Sequence, residues 1–113
     1  MTKYLISFPS TAMVIADEEF QAVVDASHNV VREAKAAGVW VFGGGIDEGT
    51  APARVGGAGS VTPGTYPQAR ERECGYTVLE LPSYEDAVAW AAKIAAACRC
   101  AQELRAFQDD PES

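Results

Sequence analysis

Two stretches of helical period, residues 17–37 and 83–98, each stand between short runs of strand period, and this repeated order limits the folds open to the chain. Before the first helix, Lys3–Phe8 is strand-like, with Tyr4, Leu5, Ile6 and Phe8 apolar and Pro9 closing it. Asp17 reads as an N-cap, with Glu18 and Glu19 favouring the first turn through the helix dipole. Phe20, Val23, Val24, Ser27, Val31 and Ala34 then recur at helical spacing, and Gly38 stands where a helix ends. Val39–Phe42 is apolar throughout and predicts a strand covered on both faces.

Nine of the ten glycines fall between Gly38 and Gly64. Inside that region Ala53-Arg54-Val55 and Ser60-Val61-Thr62 predict a hairpin turning at Gly56–Gly59. Pro63–Arg70 reads as a loop. Tyr76–Leu81 is a further strand, and Ser83 with Asp86 three residues on has capping-box spacing. Ala87, Trp90, Ala91, Ile94 and Cys98 mark one face of the second helix, and Ala101–Phe107 alternates as a last strand. The order predicts one α+β domain over residues 1–108, with a polar tail at 109–113. Its plan is the ferredoxin-like split βαβ, an antiparallel sheet with two helices on one face. Leu5, Val41, Val78 and Leu104 are too many apolar strand residues for one covered face, so a homodimer with sheets packed face to face is expected, burying on the order of 2,000 Å².

Charge narrows the partners. Sixteen acidic residues against nine basic give a net charge of −7. The densest basic pair, Arg70 and Arg72, is interleaved with Glu71 and Glu73, which is no stripe for a phosphate backbone. No nucleic-acid partner is expected. No apolar run reaches membrane-spanning length, and Met1-Thr2-Lys3 leads straight into strand-like residues rather than a secretory h-region. A cytoplasmic location without membrane contact is the expectation. Cys74, Cys98 and Cys100 lack ordinary zinc-ligand spacing and His28 is the one histidine, so free thiols and no metal are expected.

Gly43-Gly44-Gly45 leads into Ile46-Asp47-Glu48, with acids where a phosphate loop would need amides and a lysine. No nucleotide or other cofactor is expected, although Gly44 sits where a ligand can approach the backbone closely. Histidine is the side chain suited to proton transfer near neutrality. His28 falls about 80° around the helix from Phe20, at the border of the apolar face, with Asp25 as a helical neighbour. Trp40 and Trp90 read as core. Tyr66 is not required by any strand or helix pattern and is a candidate pocket residue. His28 is thus expected to line a cleft between the Gly43–Asp47 strand end and the Pro63–Arg70 loop. Asp47, Arg54 and Tyr66 would orient a polar small molecule there, Arg54 through its planar fork.

The run Val61-Thr62-Pro63-Gly64-Thr65-Tyr66-Pro67-Gln68-Ala69-Arg70-Glu71, followed by Cys74-Gly75-Tyr76, resembles the segment that names the DGPF branch of the YCII-related proteins. His28, Gly44-Gly45-Ile46 and Leu81-Pro82-Ser83 fall on further features of that family, and the resemblance runs from Tyr4 to Phe107. Pro63, Thr65 and Tyr66 replace the signature's aspartate, proline and phenylalanine, and Gly64 remains. Where the YciI-like branch carries an aspartate after its first strand, this chain has Phe8-Pro9-Ser10. The resemblance implies a dimeric α+β barrel. It also implies either metal-free, cofactor-free acid–base chemistry by His28 on a small polar or aromatic molecule, or a ligand-binding or accessory dimer without turnover. A structural dimer with a decayed pocket is the third reading.

Overall fold

The computed structural model describes residues 1–68 and 72–113. Strand β1 (Thr2–Pro9) leads through a 3₁₀ turn at Ser10–Ala12 and a second at Asp17–Glu19 into helix α1 (Phe20–Ala36). Strands β2 (Trp40–Gly45), β3 (Ala53–Val55), β4 (Val61–Pro63) and β5 (Glu73–Leu81) follow, then α2 (Tyr84–Cys98) and β6 (Glu103–Ala106). The larger sheet has the order β2-β5-β1-β6 with every neighbouring pair antiparallel, and β3–β4 form a separate hairpin. The chain is an α+β protein with two helices packed on an antiparallel sheet.

Alternation along the central strands decides which face the helices cover. Tyr4 and Ile6 on β1 and Leu79 and Leu81 on β5 are buried against Ala34 of α1 and Ala87 and Ala91 of α2. Alanine at the contact lets α2 lie close on the sheet. Val39, Trp40, Trp90, Ile94 and Leu104 close the edges of this core. On the opposite face, register places Phe42, Val78 and Leu5 abreast across three strands. Beside them Arg105 donates to the buried Ser7 hydroxyl at 2.9 Å and lies 3.5 Å from Glu73.

The helix ends follow local chemistry where a side chain or a glycine dictates it. The Gly38 N–H bonds to the Lys35 carbonyl at 3.1 Å and the Val39 N–H to the Ala34 carbonyl at 3.1 Å, a Schellman closure with Gly38 at φ +74°. At α2 the Ser83 hydroxyl accepts the Asp86 N–H at 3.2 Å. Ser83→Ala is therefore expected to lower stability by about 1 kcal/mol in urea unfolding; no change would mean that water caps the helix equally well.

Four expectations are corrected. Asp17 is not an N-cap: it lies inside the 3₁₀ turn opened by Ala16, and α1 begins at Phe20 with no side-chain cap. The acids still stand at the positive end of the helix. Phe20, the first residue of α1, does not face the core and is exposed. β2 is not covered on both faces: it is an edge strand with a bulge at Val41, leaving Val41 and Phe42 exposed. Leu104 belongs with the helix-covered core rather than with the surplus apolar residues on the open face.

Candidate functional site

A cavity of about 470 Å³ opens between α1, the C-terminal half of α2 and the strand ends of β2 and β5. That size suits a small molecule. Its walls are apolar, with Ile6, Val31, Trp40, Trp90 and Ile94, and its floor at the β2–β5 end is the bare backbone of Gly43–Gly45 and Gly75. Into this space come His28 and Ser27 from α1, Cys74 from β5, Cys98 from the last turn of α2 and Gln102 beyond it. The tryptophans expected in the core do both jobs, packing on it and walling the cavity.

The expected site residues separate into two groups. His28 and Gly44 both line the cavity. Asp47, Arg54 and Tyr66 are not among its lining residues, because the chain leaves the sheet after Gly45 and carries β3 and β4 away from it. Asp47 is engaged locally. Its carboxylate accepts the Gly49 N–H at 2.9 Å and the Thr50 hydroxyl at 2.8 Å, and these two bonds, the hydroxyl's first, hold its pKa below the usual carboxylate value. Arg54 lies over the Tyr66 ring at 5.6 Å, with its buried Nε lacking a hydrogen-bond partner among the described residues. The cleft expected against Pro63–Arg70 is thus bounded instead by α2 and β5. Arg70 and Glu71 of the family-like segment lie outside the described residues.

His28 is exposed at the cavity edge and makes no hydrogen bond to another described residue. Asp25, its helical neighbour, accepts from Gln21 at 3.0 Å instead. Chemically the imidazole is a free donor or acceptor for whatever enters, without a carboxylate to fix its tautomer. Sequence reasoning passed over Lys35, Cys74 and Cys98 as lining residues. Lys35 carried a signal, since it lies seven residues after His28, which on an α-helix is the same face. The cysteines carried none, because their approach depends on how α2 docks.

Burial pushes the Cys74 thiol pKa up, with Glu48 and then Cys98 adding to it, and burial likewise raises Cys100, against a smaller opposing hydrogen bond from Gln102. Cys98 also sits 3.6 Å from the Ser27 hydroxyl. Since the thiolate is the nucleophile, Cys74 and Cys100 are expected to alkylate with iodoacetamide several-fold more slowly than free cysteine at pH 8. The same shifts set a sign for stability. Unfolded thiols ionise first, so stability held below about pH 8.5 falls as pH rises through the higher folded values. Alkylation at the free-cysteine rate would contradict the placement of both thiols.

Among the described residues, no group of three or more histidine, cysteine, aspartate or glutamate side chains is placed to hold a metal ion. No described helix is long and apolar enough to cross a membrane. No family model matches the chain, and no curated protein matches it significantly.

Proposed function

We propose that this chain is a small-molecule-binding protein of the YCII-related type, whose ligand enters the cavity beside His28 and exchanges a proton with it. The observation that carries the reading is the cavity itself: apolar walls, a glycine floor and one imidazole at the edge with its hydrogen-bonding capacity unspent. An apolar enclosure with a few polar groups is what orients a small ligand, and proton transfer needs only an imidazole within reach of the reacting atom. Neither metal nor organic cofactor enters this scheme. With free thiols and an acidic surface the chain belongs in the cytoplasm.

The ferredoxin-like plan is supported by the strand order, in which α1 joins β1 to β2 and α2 joins β5 to β6, each pair separated by one intervening strand. A homodimer is part of the proposal. A folded monomer of 12.0 kDa exposes about 6,000 Å², whereas this chain exposes 7775 Å². Its radius of gyration is 15.7 Å, against about 13 Å for a compact domain of this length. The surplus sits on the open sheet face at Phe42 and on the β3–β4 hairpin, where Val55 is 69% and Val61 66% exposed. A lone two-stranded hairpin is marginal in water, so a second copy covering both surfaces accounts for the excess.

His28→Ala tests the site. The side chain is exposed, so the fold should persist while fragments detected by ligand-observed NMR lose their binding. Binding unchanged by the substitution would remove His28 from the site. One observation favours a second reading, a binding module without turnover. No described carboxylate orients His28, and a base lacking that partner can hold a ligand through hydrogen bonds without accelerating its chemistry.

A further inference from the structure

The cavity lining is electrostatically selective in a way the whole chain is not. Sixteen carboxylates outnumber nine basic groups in the sequence, yet no acidic side chain among the described residues lines the cavity. Among the described residues, the nitrogen bases that do line it are His28 and Lys35, both on α1. Seven residues apart, they share a helix face and are separated by about 10 Å along the axis. Lys3, Lys93, Arg99 and Arg105 each meet a carboxylate. Lys35 has no such partner among the described residues, and its Nζ stands 5.7 Å from the centre of the Trp40 ring.

The shape of the floor adds a second constraint. Gly75 is required by close approach, since a Cβ there would lie 2.7 Å from the Gly44 carbonyl oxygen. Gly45 is not: a Cβ on it would meet only the Cys74 carbonyl oxygen, at 3.9 Å. Alternation from Gly43, whose added Cβ would strike Trp40, places a Gly45 side chain on the cavity side of the sheet. Packing therefore leaves this position open to a larger residue, and glycine there keeps a flat strip of backbone facing Trp40 and the helices.

We propose that the cavity takes a flat aromatic carboxylate, its ring on the Gly45 backbone beside the edge of Trp40, which itself covers Gly43, its anion on the Lys35 ammonium, and its far end near His28. The inference rests on the small-molecule reading above and names its ligand class. A monoanion suits the site better than a phosphate. Lys35 lies in the last turn of α1, where the helix dipole is negative and disfavours a second ligand charge. Among the described lining residues no guanidinium fork is present to satisfy a phosphate's oxygens.

Isothermal titration with three probes of one ring system, 2-naphthoate, 2-naphthamide and 2-naphthylmethylammonium, tests it on the full chain. Naphthoate should bind at least tenfold more tightly than the amide, and the ammonium should bind weakest. Lys35→Met should bring acid and amide within twofold of each other. Gly45→Leu should abolish binding of all three, with Gly45→Ala, which fits the space, weakening them by less; unfolding midpoints report whether each variant is folded. Equal binding of acid and amide, or a preference that survives Lys35→Met, overturns the ligand class and leaves the cavity reading standing. No binding of any probe by the folded wild type overturns both.

Discussion

Replacing Leu79 by alanine is expected to cost roughly 3–4 kcal/mol of unfolding free energy, the middle of the range for a buried leucine. Leu79 is fully buried toward the C-terminal end of β5, paired across the sheet with Tyr4 on one side and Trp40 on the other. It also borders the cavity. Truncation therefore loses the transfer free energy of the deleted atoms and enlarges an existing void that the rigid sheet cannot collapse. Urea unfolding should show a lower midpoint at an unchanged slope. For a domain whose whole stability is on the order of 5–15 kcal/mol, the variant would be close to the limit of folding. A loss below about 1 kcal/mol would mean that the packing of β5 against the two helices is not as described.

The second large effect is expected at the opposite face. Wild-type chain should sediment at twice its 12.0 kDa mass, and Val78→Asp should convert it to monomer. Val78 is the centre of the apolar row with Leu5 and Phe42. A carboxylate placed there would be buried without a partner, which costs several kcal/mol, and 4 kcal/mol is about a thousandfold in the dissociation constant. The same substitution on a monomer would cost less, because Val78 keeps partial contact with water there. Val55→Asp in the hairpin separates the two surfaces: if it too weakens the dimer, the hairpin contributes to the interface. A wild-type monomer at micromolar concentration would remove the homodimer and leave the exposure of Phe42 in this row unexplained.

The residues that announced themselves did so through local chemistry. Pro9 closing β1, Gly38 closing α1, Ser83 opening α2 and the four residues Gly56–Gly59 turning the hairpin all act within a few positions of where they stand. The failures are non-local. An apolar run such as Val39–Phe42 reads alike whether the strand is central or at an edge, and only the β2–β5 pairing puts it at the edge. Asp17 had the composition of a cap, but the chain first makes a 3₁₀ turn, so the helix begins three residues later.

The site divides along the same line. His28 could be placed at the border of a helix face from its angle alone. Which segments lie opposite that face depends on register and helix docking, and these bring Gly43–Gly45, Cys74 and α2 there rather than Arg54 and Tyr66. Proximity in sequence to the glycine-rich strand end made the hairpin residues look like neighbours of the site. The hairpin instead forms its own two-stranded sheet, with Tyr66 held under Arg54.

The central claim, that the cavity beside His28 is where a ligand binds, is tested most directly by amide chemical-shift mapping of the labelled chain with 2-naphthoate. The largest shifts are predicted at His28, Lys35, Trp40, Gly43–Gly45 and Gly75, with the Ala53–Val55 and Val61–Pro63 strands unmoved. Shifts concentrated on Arg54, Tyr66 and their hairpin, or no saturable shifts anywhere, would contradict it.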